Sequence, residues 1–300
     1  MAIDLSGRVA VVTGAGGGLG REHALLLARR GARVVVNDVG GSVAGSGASA
    51  AAAEAVVAEI QACGGEAIAN AASVTDYASV QAMIEEARAR WGRVDILVNN
   101  AGILRDKSFS KMSLEDFRTV LDVHLMGSVH CTKAVWNHMR EQSYGRIVMT
   151  TSSSGLYGNF GQANYGAAKL ALVGFMQTLA LEGAKYNVRV NCLAPSAATR
   201  MLDGLMSDDI SKLLPPGAVS PGVLALVADD APTRTILCAG GGSYEQAHIT
   251  LTRGIFAGNG ADAAERIAGN WTAIGDRAGE IVPESGISQS QLEVEKLQQD

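Results

Sequence analysis

The sequence predicts an α/β fold: a doubly wound, seven-stranded parallel sheet with a C-terminal extension. Three observations predict it. Short, nearly continuous apolar runs alternate with longer stretches of helical spacing. That is how strands buried on both faces read between the helices that cover them. A glycine-rich turn, TGAGGGLG, joins the first run to the first helical stretch. An acid, Asp38, closes the second run.

The elements follow in order. RVAVVT (Arg8–Thr13) is a β-branched strand, and Leu19–Arg30 has helical spacing that Gly31 stops. RVVVND (Arg33–Asp38) is the second strand. An Ala-rich helix over Ala50–Cys63 ends at Gly64-Gly65. EAIANA (Glu66–Ala71) is the third strand, Asp76–Trp91 a helix opened by its Asp, and VDILVNN (Val94–Asn100) the fourth strand. One long helix is expected over Ser113–Gln142. GRIVMTTS (Gly145–Ser152) is a strand, Gln162–Lys185 a helix, NVRVNCLAP (Asn187–Pro195) a strand, and TILCAGG (Thr235–Gly241) the last. No repeat and no Pro-rich linker divides the chain. Residues 1–245 read as one nucleotide-binding and catalytic domain, and 246–300 as an extension, helical in part.

The net charge is −5 and the pI near 5.6, which argues against a nucleic-acid partner. Residues 251–300 hold four Lys/Arg against eight Asp/Glu, so most of the negative charge lies in the extension. No apolar run reaches the roughly 18 residues of a membrane span; Leu170–Leu181 is broken by Gln177 and Thr178. The N-terminus carries Asp4 and no basic region ahead of an apolar stretch, so no secretory signal is read. Cys63, Cys131, Cys192 and Cys238 are scattered without a CxxC pair, which suits reduced thiols in a cytoplasmic protein. The five His show no metal-ligand spacing, so no metal is expected.

The glycine turn and Asp38 point to a dinucleotide. Without Cβ atoms, backbone N–H groups approach a pyrophosphate, and the helix N-terminus adds its positive end. A carboxylate after the second strand accepts both ribose hydroxyls and repels a 2′-phosphate, which favours NAD over NADP. No cation adjoins Asp38; Arg33 is the nearest on its strand, and Arg21 opens the helix and reads as solvated.

Six Tyr and seven Lys occur, and only Tyr165 has a Lys four residues on, Lys169. On a helix the two share one face, about 5–6 Å apart at Cβ. A nearby ammonium lowers a phenol's pKa toward neutrality and makes it a usable acid or base. The rival pair, Tyr244 and His248, has a mostly neutral partner, and a solvated helix face accounts for either. Ser152 ends the preceding strand and can orient a substrate oxygen; Ser153 and Ser154 read as turn and cap chemistry.

Together these pieces resemble the short-chain dehydrogenase/reductase family over about residues 5–245. The resemblance rests on Thr13, Gly14, Gly18 and Gly20 of TGxxxGxG, on NNAG (Asn99–Gly102), on Ser152 and on YGAAK (Tyr165–Lys169). It implies a Rossmann-type domain, hydride transfer at a carbinol carbon, and Ser152, Tyr165 and Lys169 as catalytic residues. It further implies cofactor contacts from Gly14, Gly18, Leu19, Gly20, Asp38, Asn100, Ala101, Gly102, Tyr165, Lys169, Pro195 and Ala198. Ser73 and Val74, where the family usually has Asp-Val, would lie near the adenine. NNAGILRDKSF, VHLMGS, YGRIVMTTSSSGLYGNFGQANYGAAK and NCLAPSAATRM are similar to the (3R)-hydroxyacyl-CoA dehydrogenase branch, whose bacterial relatives act on acyl-CoA or on 17β-hydroxysteroids. A lipid-like substrate, a homo-oligomer and no membrane partner follow from that resemblance. No SKL-type address closes the sequence. Most of the family has Asn where this chain has His124; the imidazole either holds a water or packs in a helix core.

Residues 196–232 break the alternation. Met201, Leu202, Leu205, Met206, Leu213 and Leu214 form either a lid over an apolar substrate or a helix pair packed on the body. For an acyl-CoA, Arg200, Lys212, Arg234 and Arg253 are the cations of this stretch. Ala261–Trp271 reads as helix and Ser285–Asp300 as polar and loosely held; the extension serves either a dimer interface, as in the resembled branch, or a solvated tail.

Overall fold

The computed structural model describes residues 2–42, 44, 47, 49–199 and 207–298. The chain divides into two compact units, 1–246 and 247–300. In the first, β1 (Val9–Thr13), β2 (Arg33–Asn37), β3 (Ala67–Asn70), β4 (Ile96–Asn99), β5 (Gly145–Thr150), β6 (Val188–Ser196) and β7 (Ile236–Gly240) run parallel. The order is β3-β2-β1-β4-β5-β6-β7, and an eighth strand, β8 (Ser243–Ala247), follows β7 at the edge. Val11 of β1 lies between Val35 of β2 and Leu97 of β4. The order therefore reverses between β1 and β4, which opens a crevice at their carboxyl ends.

The sheet has eight strands where the sequence predicts seven. Gly241 and Gly242, at φ +58° and +86°, make a two-residue turn that only glycine adopts freely. The strand behind it, SYEQA, is almost wholly exposed, so no apolar alternation announces it.

Helices α1 (Gly18–Arg29), α2 (Ala51–Ala62) and α3 (Tyr77–Trp91) connect the first four strands. Asp76 caps α3, accepting the Ala78 N–H at 3.1 Å, and Gly92 at φ +78° ends it. The expected single helix over 113–142 is α4 (Leu114–Leu121) and α5 (Gly127–Glu141), joined by a π-helical turn, Asp122–Met126. Apolar spacing does not register one extra residue in a turn. After β5 come α6 (Ser153–Tyr157) and α7 (Ala163–Gly183).

After β6, Arg200, Met201, Leu202, Leu205 and Met206 fall outside the described residues. The rest of the segment holds α8 (Asp208–Leu213), a 3-10 turn (Pro216–Ala218) and α9 (Ser220–Val227). Leu213 is exposed and Leu214 half-buried. Val219, Val223, Leu224 and Val227 join the core that α1 also enters, so α9 packs on the body. Asp209–Val227 is long and apolar enough to cross a membrane by length and composition alone, among the described residues. Pro215 and Pro216 interrupt it, and its second half is core.

At the amino ends of the strands, two buried charges have several partners each. Arg146 donates to the carbonyls of Ala228, Gly145, Asn187 and Asp229 at 2.9, 2.8, 2.9 and 2.7 Å. The Asp95 side chain is wholly buried; it accepts from the Val9 N–H at 2.9 Å and from Arg93 Nε at 2.7 Å.

The second unit contains a bridge between Leu251 and Ile281, α10 (Ala263–Gly269), α11 (Trp271–Ile274) and α12 (Ile287–Leu297). The helix expected over 261–271 is two short ones. The stretch read as loosely held is largely α12, because Gln, Leu, Glu and Lys are all good helix formers.

Candidate active site

A cleft of about 390 Å³ lies at the carboxyl edge, across the crevice between β1 and β4. Thr13 builds its floor: its Oγ1 accepts the N–H groups of Asn100 and Ala101 at 3.0 and 3.1 Å. Asn100 Nδ2 donates back to the carbonyls of Thr13 and Gly14 at 2.9 and 3.1 Å. Gly14, at φ +63°, lets the two turns touch; a Cβ there would lie 2.8 Å from Ala101 Cα. Gly14, Asn100, Ala101 and Gly102 all line the cleft.

Helix α1 begins at Gly18 with Gly17 as its N-cap and no side-chain cap. Gly17, Gly18 and Leu19 line the cleft, so the helix's positive end faces a site where an anion can accept its N–H groups. Gly20 is absent from the lining. A Cβ there would fall 2.2 Å from the Gly14 carbonyl oxygen, so Gly20 lets α1 close on the turn.

Asp38 lines the cleft and accepts the N–H groups of Gly16 at 2.8 Å and Gly40 at 2.7 Å. The two bonds fall on different oxygens, and each carboxylate oxygen can accept more than one donor. The neighbouring cations are engaged elsewhere. Arg21 is not merely solvated: it makes a bidentate pair with Glu59 at 2.6 and 2.7 Å and also binds Glu22. Arg33 pairs with Glu66 at 3.1 Å. Ser73 and Val74 line the same end.

The catalytic candidates meet at the other end. Tyr165 and Lys169 share one face of α7 and both line the cleft. The Lys169 ammonium is 5.5 Å from the centre of the Tyr165 ring and donates to the Thr150 carbonyl at 2.5 Å. Burial pushes the Lys169 pKa down to about 7. Burial also raises the Tyr165 phenol above its ordinary value; a hydrogen bond with the Ser152 hydroxyl acts against the rise, and the Asp106 charge adds to it. The expected lowering of the phenol by an ammonium is therefore not what this geometry gives, because the buried lysine is itself short of charge. Ser152 is buried and caps α6, accepting the Ser154 N–H at 3.2 Å. It does not line the cleft but reaches it through Tyr165. Pro195 lines the wall; Ala198 does not, its N–H donating to the Leu214 carbonyl at 2.7 Å, and Thr199 lines instead.

Two contributions escaped the sequence reading, and His124 falls on one of its two readings. Asn164, wholly buried, accepts the Tyr165 N–H at 2.7 Å and donates to the Arg105 carbonyl at 3.1 Å, fixing the first turn of α7 to the loop after β4. His124, read as holding a water or packing in a helix core, is buried among the helices and also lines the cleft. Its Nε2 lies 2.8 Å from the Ile103 carbonyl, and its ring meets Tyr165 edge-on at 5.1 Å. Burial first, and then Lys169, hold its pKa well below the usual value. Finally, His124 Nδ1 and Thr150 Oγ1 are buried without a partner, and both residues line the cleft. An orphaned polar side chain leaves no mark on apolar spacing.

Of the cations read for an acyl-CoA, Arg200 lies outside the described residues and the other three have partners of their own. Arg234 precedes β7 at the amino edge and binds Gln177. Lys212 pairs with Asp209 at 3.7 Å. Arg253, in the second unit, donates to the Gly279 carbonyl at 3.0 Å.

A family model for short chain dehydrogenases matches residues 8–209. The chain belongs to the short-chain dehydrogenase family. It is an oxidoreductase. A putative short-chain type dehydrogenase/reductase of Mycobacterium tuberculosis is 49% identical over 278 residues, which is 91% of this chain and 95% of that protein. The peroxisomal multifunctional enzyme type 2 of Drosophila melanogaster is 54% identical over 238 residues, covering 79% of this chain and 38% of the enzyme. The solved full-length form of the Drosophila enzyme superposes with a TM-score of 0.83 at 38% identity, over 99% of this chain and 50% of that one. The short-chain dehydrogenase therefore spans half or less of that relative's length. A 7α-hydroxysteroid dehydrogenase, solved with NADH and 7-oxo glycochenodeoxycholic acid, superposes at 0.72 with 32% identity, over 80% of this chain and 95% of that one.

Proposed function

We propose that this dehydrogenase interconverts a secondary alcohol and a ketone on a bulky apolar substrate with NAD as cofactor, and that the substrate is a (3R)-3-hydroxyacyl-CoA. One observation carries the reading: half-buried Tyr165 and buried Lys169 stand side by side in the same cleft whose lining includes Asp38. The residues present fit a nicotinamide dinucleotide. The uncapped N-terminus of α1 suits its pyrophosphate, and the spare lone pairs of Asp38 suit the adenosine ribose. No cation among the described residues near Asp38 is left to neutralise a 2′-phosphate, which supports NAD over NADP.

When bound, the cofactor would supply the hydride acceptor. The chain's own residues then have separate tasks. Tyr165 takes the alcohol proton in oxidation and returns it in reduction. Ser152, held against the phenol, orients the substrate oxygen. Lys169, anchored to the Thr150 carbonyl and brought by burial to a pKa of about 7, eases loss of the phenolic proton when it is itself protonated. Asn164 holds the tyrosine's turn of helix in place.

A second reading is a hydroxysteroid substrate, supported by the likeness to the 7α-hydroxysteroid dehydrogenase. A homo-oligomer belongs to the proposal and is supported by the resemblance noted above. NAD reduction with 3-hydroxyacyl-CoA thioesters and with estradiol separates the two substrates. Turnover of the thioesters alone supports the first reading, and turnover of estradiol alone replaces it with the second.

A further inference from the structure

The loop after β4 is fastened to the start of α7 at three consecutive residues. The Arg105 carbonyl accepts Asn164 Nδ2 at 3.1 Å, Asp106 Oδ2 accepts Gln162 Nε2 at 2.6 Å, and the Lys107 N–H donates to the Gly161 carbonyl at 2.9 Å. Gly161 sits at φ +82°, which glycine adopts freely, so the chain can turn along the loop before the helix begins. The fastening joins two parts of the site. Residues 100–103, at the head of this loop, line the cleft, and so does Tyr165, just past the fastened residues.

Gln162 stands in the middle of this contact and is the N-cap of α7. A capping side chain ordinarily turns onto the free N–H groups of the first turn. Gln162 caps none of them. It is buried, its Nε2 donates to Asp106, and its Oε1 accepts Asn159 Nδ2 at 3.1 Å. Its amide holds the helix start to the loop instead. Gln162 and Tyr165 are three residues apart at the start of one helix, a spacing that shares a face. Asp106 therefore lies on the phenol's side of α7.

Asp106 keeps its charge in this contact. Its partner is a neutral amide, and the flanking Arg105 and Lys107 turn to Asp116, at 3.0 and 3.1 Å. Around the phenol stand Ser152 after β5, His124 from the π-helical turn and Lys169 from α7 itself. On α4 and the π-helical turn, which pack against Tyr165, Glu115, Arg118 and Asp122 are exposed. Burial keeps His124 neutral and brings Lys169 to about 7. Burial is also what chiefly opposes loss of the phenolic proton, and the Asp106 charge adds to it.

We propose that Asp106 is a positioning residue for the alcohol–ketone reaction: through Gln162 it fixes the turn of α7 that carries Tyr165, and it sets a negative charge on the phenol's side of that helix. The inference rests on Tyr165 as the acid and base of the reading above. The charge favours the phenol as a proton donor, so it assists ketone reduction near neutrality and holds oxidation back to alkaline pH.

The test separates the charge from the hydrogen bond. Asp106→Asn keeps an oxygen for Gln162 and removes the charge. In alcohol oxidation its kcat on the acid side of the pH profile should rise by about twofold to fivefold, with kcat at the alkaline optimum and the KM for NAD unchanged. Added salt should shrink that gain. Asp106→Ala removes the oxygen as well, so kcat at the optimum should fall by about tenfold while NADH affinity by fluorescence titration holds. Gln162→Ala should cost about as much, and the double variant little more, because the two residues act as a pair. A readout without substrate is the ring carbon of Tyr165, labelled with carbon-13 and assigned by its loss in Tyr165→Phe. In Asp106→Asn the phenol should ionise at lower pH than in the wild type. An unmoved titration, or an Asn variant as slow at the optimum as the Ala variant, overturns the proposal and leaves the acid–base reading standing. Normal turnover by Tyr165→Phe overturns that reading and this inference with it.

Discussion

The two edges of the sheet bury charge in opposite ways. At the amino edge, the Arg146 guanidinium is spent on four carbonyls, and Asp95 accepts from a backbone N–H and from Arg93. At the carboxyl edge, Lys169 is nearly as deeply buried with one carbonyl partner, and Thr150 Oγ1 and His124 Nδ1 have none. A buried polar group without a partner costs about 1–3 kcal/mol. Among the described residues the amino edge also has orphaned atoms, His138 Nδ1 and Arg140 Nε at the close of α5; what sets the carboxyl edge apart is that its orphans, on Thr150 and His124, line a cleft.

The sharpest way to break this contrast is to remove the reacting groups. Tyr165→Phe keeps the ring and removes the proton, so turnover should fall by about 10²–10⁴-fold while NADH binding by fluorescence titration persists. Lys169→Ala should lose activity too, and the double variant should lose little more, because the two act as a unit. The amino edge should respond in stability alone. Arg146→Met or Asp95→Ala strands the groups left behind, which should lower the urea-derived stability by about 3–5 kcal/mol. The kcat of the molecules that remain folded should stay near normal.

Much of this was legible beforehand and some was not, for reasons that lie in particular residues. Seven strands and the Tyr165–Lys169 face were readable because buried parallel strands are continuously apolar and a helix repeats near every fourth residue. Ser243–Ala247 escaped because an exposed edge strand has no apolar face to display. The turn Asp122–Met126 escaped because one extra residue leaves the flanking pattern intact. That Gly20 also lets α1 pack on the turn was not legible, because it shows only when a Cβ is placed 2.2 Å from the Gly14 carbonyl oxygen. Arg21 read as solvated because its partner, Glu59, lies on another helix.

Smaller effects sharpen the comparison. Lys169 titrates near 7 in the folded chain, below its usual 10.5. Between those values the unfolded chain holds a proton that the folded chain lacks, so this residue makes stability rise with pH. Lys169→Met should therefore flatten that rise and, at pH 6, stabilise the protein by about 1–3 kcal/mol while abolishing turnover. Thermal melts from pH 6 to 10 check the sign; a steeper rise in the variant would contradict it. Smallest of all, Asp38→Ala should weaken NAD and relieve the repulsion of NADP, moving the ratio of their kcat/KM values about tenfold toward NADP.

The most direct test of the whole account is the initial rate of reduced cofactor formation by the wild type with a (3R)-3-hydroxyacyl-CoA, using NAD and NADP side by side. The account predicts NADH formation at a kcat/KM well above that for NADP. Failure to reduce NAD with this thioester, or a preference for NADP, contradicts it.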